Sequence, residues 1–310
     1  MSVMLCGSLA FDTVMVFKGR FKEHILPDRI HMLSVAFLVP EMRRNFGGVA
    51  GNIAFNLAQL GVGSEILATV GEDFATYEQW MDRWGISRRH VSVVPDTYTA
   101  QAFITTDLDD NQITAFHPGA MSQSGSLNIP ADAGITIGLV GPDSREGMIG
   151  HAEGFKAAGI PFIFDVGQGL PMFDGAELSR FVEQADWVVV NDYEGQLLEE
   201  RTGLTPSQIA AQCRAYVVTR GAQGSIVYVG QEKHDIPVVP AERIADPTGC
   251  GDAYRAGLIF GLAHGLDWPT TARLASLIGS IKIAHHGTQN HRFTLEEIKD
   301  RFESVFGYRF

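Results

Sequence analysis

Ile135-Thr136-Ile137-Gly138-Leu139-Val140, Pro161-Phe162-Ile163-Phe164-Asp165 and Trp187-Val188-Val189-Val190 are short apolar runs separated by amphipathic stretches near 145–158 and 175–184. A third amphipathic stretch, near 193–201, precedes two further runs at 216–219 and 225–229. A strand exposed on one face alternates apolar with polar residues, whereas these runs are apolar at almost every position and so are buried on both faces. Such strands alternating with helices read as a parallel sheet covered on both sides, an α/β fold.

Downstream, helical patterns cover 249–264, 268–286 and 294–306. Upstream, Val3-Met4-Leu5-Cys6 reads as a buried strand ended by Gly7, and 13–17 and 33–39 are strand-like. Ile53, Ala54, Leu57, Ala58 and Leu60 recur at helical spacing before a stop at Gly61. Val91-Ser92-Val93-Val94, Ala102-Phe103-Ile104 and Ile113-Thr114-Ala115-Phe116 read as short strands, with Asp107-Leu108-Asp109-Asp110-Asn111 as a turn. No repeat, low-complexity tract or Pro-rich linker divides the chain. One α/β domain over residues 1–310 is expected, with a smaller β element from about 12–40 and 91–116.

The 310 residues carry 24 Lys+Arg against 36 Asp+Glu, a net charge of −12. That balance argues against a nucleic-acid or anionic-membrane partner. Cys6, Cys213 and Cys250 form no CxxC pair, so neither a disulfide framework nor a zinc site is expected. No apolar run reaches membrane-spanning length, and the start shows no secretory pattern, which points to a cytoplasmic protein.

A Walker A loop, GxSxG, HExxH and a GxGxxG after the first strand are all missing. The most informative stretch is Ala245-Asp246-Pro247-Thr248-Gly249-Cys250-Gly251-Asp252-Ala253-Tyr254, which opens a helical pattern. Glycine amides at a helix start can converge on an anion, and the helix dipole favours negative charge there. Asp252, in the first turn, can accept a proton from an alcohol attacking a phosphorus held by that loop. The competing reading is a helix start with a stabilising first-turn carboxylate.

Three other stretches carry similar ambiguity. Asn45-Phe46-Gly47-Gly48-Val49-Ala50-Gly51-Asn52 is either a glycine turn before a helix or a ligand approach in which Asn52 meets hydroxyls. Asn191-Asp192-Tyr193-Glu194 follows an apolar strand, where α/β sheets bind ligands, yet Asn191 and Glu194 also fit a capping box. Thr219-Arg220-Gly221-Ala222-Gln223-Gly224 is a hairpin turn or a backbone cradle for a nucleotide.

The order of these stretches, preceded by Gly7-Ser8-Leu9-Ala10-Phe11-Asp12, resembles the ribokinase (PfkB) family of carbohydrate and nucleoside kinases over nearly the whole chain. The resemblance implies a ribokinase-like (Rossmann-like) α/β fold, a central mainly parallel sheet flanked by helices, with a small β-sheet lid. It implies Asp252 as catalytic base and the amides of Gly249, Cys250 and Gly251 as the anion hole. Asp12, Gly48 and Asn52 would bind substrate hydroxyls. Asn191, Thr219, Arg220, Gly221 and Gly224, with Gly249 and Gly251, would contact ATP. Glu194 would organise Mg²⁺ through water. Asp246 and Thr248 match positions lining a K⁺ site in some members, and K⁺ is left open here because part of such a site is backbone carbonyl.

Two positions depart from the commonest pattern: Cys250 stands where many members have Ala, and Tyr254 where many have Phe. Val49 replaces the Lys usual in ribokinases proper, and Phe116-His117-Pro118-Gly119-Ala120 looks like prokaryotic adenosine and nucleoside kinases. Phe11, Phe46, Phe103 and Phe116 offer apolar faces for a base, with core packing as the alternative for each. Gln168, in Asp165-Val166-Gly167-Gln168-Gly169, follows a strand and can read a base edge. The expectation is an ATP-dependent purine nucleoside 5′-kinase using adenosine, inosine and, more loosely, guanosine and cytidine. A sugar kinase and a non-catalytic ligand-binding regulator are the alternatives, and both monomer and homodimer fit.

Overall fold

The computed structural model describes residues 2–25, 34–109, 111–130 and 134–310. Its centre is a nine-stranded sheet in the order β13-β12-β11-β10-β9-β8-β1-β4-β5. These strands are β1 Ser2–Cys6, β4 Ser64–Val70, β5 Val91–Val93, β8 Ile135–Val140, β9 Phe162–Phe164, β10 Trp187–Asn191, β11 Ala215–Thr219, β12 Ser225–Val229 and β13 Glu232–Ile236. Pairing is parallel from β5 through to β11, and only β12 runs against the rest, pairing antiparallel with both β11 and β13.

Strand alternation explains why these runs are apolar throughout. Val3 and Leu5 of β1, with Trp187 and Val189 of β10, point into one core. Met4 and Cys6, with Val188 and Val190, point into the other. The first core is covered by α2 (Val49–Gln59), α3 (Ala75–Arg83), α8 (Cys250–Ala263), α9 (Trp268–Lys282) and α10 (Leu295–Phe306). The second is covered by α4 (Arg145–Ala158), α5 (Gly175–Gln184), α6 (Asp192–Thr202) and α7 (Pro206–Gln212). A four-residue helix, α1 (Phe21–His24), lies outside both. Among the described residues no helix is long and apolar enough to cross a membrane.

A separate four-stranded sheet has the order β3-β2-β6-β7, from β2 Ala10–Val16, β3 Glu41–Gly47, β6 Ala100–Thr106 and β7 Gln112–His117. Two expectations are corrected here. The strand read at 33–39 lies instead at Glu41–Gly47, and residues 34–39 form none. (Leu33 itself is outside the described residues.) Leu38 in that apolar stretch is 87% exposed, whereas the charged β3 pairs along its whole length with β2. Charged side chains suit such an edge strand. Val91–Val93 joins β4 at the edge of the large sheet rather than the small one. The small sheet therefore comprises residues 10–16, 41–47, 100–106 and 112–117.

Candidate active site

The stretch before α8 ends on Gly249, whose φ of 77° is left-handed; a Cβ there would also come within 3.0 Å of Thr288. Glycine is thus needed at this helix start. The Cys250 amide donates to Pro247 O at 3.1 Å, so it is already used, unlike the expected anion hole. Among the described residues the amides of Gly249, Gly251 and Asp252 make no hydrogen bond within the chain. These donors, at the positive end of a 14-residue helix, suit an anion.

Asp252 Oδ2 accepts from Asn52 Nδ2 at 2.7 Å. Asn52 Oδ1 accepts from Gln289 Nε2 at 3.0 Å, and Gln289 Oε1 accepts from Trp80 Nε1 at 2.8 Å. An indole N–H only donates, so Trp80 fixes which end of the Gln289 amide faces it, and hence which end of Asn52 faces Asp252. Gln289 Nε2 also donates to the Tyr77 hydroxyl, which donates to Gly47 O, both at 2.7 Å. Asn52 is 4% exposed with both ends of its amide engaged. Trp80 and Gln289 carry no motif of their own; only the fold brings them beside Asn52.

Burial pushes the Asp252 carboxyl up to about 6; the Asn52 bond opposes this, Asp165 adds to it, Arg255 opposes it and Asp12 adds to it. A carboxylate in that range serves as a base near neutral pH. Arg255, one turn further along α8, is buried and grips Asp165 with Nε and Nη2, each at 2.8 Å. Burial lowers its pKa, but Asp165 more than restores it, so the guanidinium stays charged. This pair ties the start of α8 to the carboxyl end of β9. It too was missed, because Arg255 and Asp165 lie 90 positions apart.

Asn191 and Glu194 form the capping box of α6: Asn191 Oδ1 accepts from the Glu194 amide, and Glu194 Oε2 from the Asn191 amide, both at 2.8 Å. Burial raises the Glu194 carboxyl, with Asp165 reinforcing and Arg255 opposing. Among the described residues no three His, Cys, Asp or Glu side chains cluster to cage a metal. One carboxylate with an oxygen outside the cap fits Mg²⁺ that keeps its waters and leans on phosphates.

The small sheet places Asp12 in one cross-strand row with Asn45, Ala102 and Phe116. Directly paired residues share a face, so Asp12 and the Phe116 ring stand on the same side, about 10 Å apart at two strand spacings. Phe11 and Phe46 belong to the row on one side of it and Phe103, paired with Thr13, to the row on the other, so all three face the other way. Phe11 and Phe46 pack with Tyr77, at 5.7 and 4.9 Å between centroids, and are core. Burial raises Asp12 to about 6, with Asp246 adding to it. Gly48, at φ 84°, lets the start of α2 touch the other loop: a Cβ would sit 2.5 Å from Ser8 O. Ser8 Oγ and O accept from the amides of Val49 and Ala50 at 3.1 Å, so this approach is structural.

Residues 220–224 close the β11–β12 hairpin. Thr219 Oγ1 donates to Val190 O at 3.4 Å, and Arg220 pairs with Asp235 at 3.4 Å. Gly221 has positive φ and open space beside it, while at Gly224 a Cβ would strike Ile236 O. Gln168 is exposed on the short turn Gly167–Met172. The residues expected at a K⁺ site do not fit that ion. Asp246 O accepts from Lys282 Nζ at 2.7 Å, and the Asp246 carboxylate oxygens accept from the amides of Thr248 and Gly287 at 2.9 and 2.8 Å.

A family model described as pfkB family carbohydrate kinase matches residues 21–294. A nucleoside kinase of Methanocaldococcus jannaschii is 30% identical over 268 residues, covering 86% of this chain and 88% of that protein. The Burkholderia thailandensis nucleoside kinase in complex with inosine is similar at 51% identity and a TM-score of 0.90, over 99% of both chains. The same kinase in complex with ADP-inosine gives 52% identity and a TM-score of 0.87, over 99% of this chain and 97% of that one.

Proposed function

We propose that this chain, which belongs to the pfkB family of carbohydrate kinases, transfers a phosphoryl group from ATP to the 5′-hydroxyl of purine nucleosides, adenosine and inosine among them. It is a phosphotransferase with an alcohol acceptor. The observation that carries the nucleoside reading is the row joining Asp12 to Phe116: a carboxylate for ribose hydroxyls and an aromatic ring for a base share one face. The inosine complex of the Burkholderia relative supports it.

In this reading Asp12 accepts from the ribose hydroxyls, Phe116 lies against the base and Gln168 meets its edge. Asp252 takes the proton of the 5′-hydroxyl as the new O–P bond forms and the bond to ADP breaks. The amides of Gly249, Gly251 and Asp252 hold the transferred group; that of Gly221, with Thr219, Arg220 and Asn191, holds the nucleotide, while the Gly224 amide closes the turn on Gly221 O at 3.1 Å. Glu194 would hold Mg²⁺ through water, and the ion would supply neutralisation of phosphate charge. Asn52, with each end of its amide already bonded inside the protein, holds Asp252 rather than a hydroxyl. Such catalysis is positioning plus charge stabilisation. The reaction belongs in the cytoplasm, where ATP is.

The test is ADP release with ATP and Mg²⁺ across adenosine, inosine, guanosine, cytidine, ribose and fructose. Turnover on nucleosides and not on free sugars is expected. Turnover on a sugar alone would replace this reading with a sugar kinase.

A further inference from the structure

Lys282, the last residue of α9, is fully buried. Lysine is seldom buried unless its charge is compensated. Here the compensation comes from carbonyl oxygens: the ammonium donates to Asp246 O at 2.7 Å and to His285 O at 3.2 Å. A ring of carbonyls replacing a hydration shell is how proteins hold a bare monovalent cation. The two carbonyls come from the two segments that meet behind the anion hole. The amides of Ala245 and Asp246 donate to Ile283 O at 2.9 and 3.1 Å, and Arg243 Nε to Ala284 O at 2.7 Å. The Gly287 amide reaches Asp246 Oδ2 at 2.8 Å. Burial lowers the ammonium pKa, and the charges of Asp246 and Asp252 pull it back.

We infer that Lys282 supplies the fixed cation of this site in place of K⁺, clamping residues 243–249 to 282–287 so that the anion-binding amides before α8 are held in place without a metal ion. A tethered ammonium needs no ion uptake, so turnover is independent of K⁺. The inference rests on the proposed role of the 249–252 amides, but not on which alcohol is the substrate.

The experiment compares KCl with choline chloride at equal ionic strength, reading both kcat and the thermal midpoint without substrate. For the natural chain both readings should be the same in either salt. In Lys282→Ala the midpoint should fall and kcat should drop at least about tenfold; K⁺ or methylammonium should restore both saturably, as a ligand binding only the native state does, and choline should not. Lys282→Met, which fills the space without charge, should stay impaired in every salt. A saturable rise of kcat and midpoint with K⁺ in the natural chain would overturn the inference. So would Lys282→Met with natural kcat, or a folded Lys282→Ala that no small cation restores. The natural-chain comparison decides the matter even if Lys282→Ala fails to fold. Because the midpoint is read without substrate, a wrong substrate assignment leaves this test standing.

Discussion

Asn52 Nδ2 donates to Asp252 Oδ2 at 2.7 Å across 200 positions of sequence. The direction of that bond is set through Gln289, by the Trp80 indole that can only donate and by the Tyr77 hydroxyl, which gives its proton to Gly47 O and accepts from the same amide. An Asn that presented its oxygen instead would repel the ionised carboxylate. The chain Trp80, Gln289, Asn52 therefore favours the charged form of Asp252.

Trp80→Phe keeps the ring that stacks on Phe46 (centroids 5.1 Å apart) but removes the donor. Gln289 then keeps only the Tyr77 contact to orient it, and it and Asn52 turn over at lower cost. The acid limb of kcat/KM should move up in pH, with KM nearly unchanged. Asn52→Ala, which removes the bond outright, should move it further. A hydrogen bond to a charged group is worth about 1.5–3 kcal/mol, or roughly one to two pH units. Identical acid limbs in all three proteins would mean the chain is packing only.

For the natural protein, Asp252 is raised to about 6. In the proposed mechanism Asp252 works only when deprotonated, and Asp12, also raised to about 6, accepts from the ribose hydroxyls as a carboxylate, so kcat/KM should be level above neutrality and fall at least tenfold per unit as pH drops below about 6. The same burial sets a stability effect. Since the folded-state pKa exceeds the unfolded one, protonation favours the native state, and this group's contribution is lost as pH rises through 6. A pH–rate profile and a pH series of denaturant midpoints read the two separately.

Arg255 and Asp165 form a buried two-bond pair. Arg255→Ala leaves a buried carboxylate without its partner, which costs about 3–5 kcal/mol in denaturant unfolding. Arg255→Lys should restore little, because an ammonium cannot make the paired contact. The double variant Arg255→Met with Asp165→Leu should recover most of the loss in stability without moving the acid limb of kcat/KM upward, since it also removes Asp165, whose charge raises the Asp252 carboxyl more than Arg255 lowers it.

Gly48→Ala meets both a positive φ and backbone atoms of residues 8–10 within 3 Å. A stability loss of a few kcal/mol is expected, with an altered start of α2. Gly61→Ala, also at positive φ but with open space around it, should cost less in the same unfolding assay.

The sheet was legible because burial on two faces forces apolar runs: Ile135–Val140 and Ser225–Val229 fall where the pattern puts them. The helices over 145–158 and 175–184 likewise follow their amphipathic periods. The strand Glu41–Gly47 was not legible, since its ladder bonds are backbone and its side chains are those of an exposed edge. In the site, Asp252 and its glycines announce themselves by local spacing. Arg255, Gln289, Trp80 and Lys282 act through contacts made only once distant segments meet, and nothing in their own neighbourhoods marks them. The four candidate phenylalanines show the same limit: register, not composition, separates Phe116 from Phe11, Phe46 and Phe103.

The most direct test of the central claim is to incubate inosine and ATP with Mg²⁺ and identify the product by phosphorus NMR, using the natural protein and Asp252→Asn side by side. The account predicts a 5′-phosphomonoester from the natural protein. From Asp252→Asn it predicts binding of inosine with turnover reduced by about 10²–10⁴, the usual contribution of a general base. Phosphate on another hydroxyl, or undiminished turnover by Asp252→Asn, would contradict it.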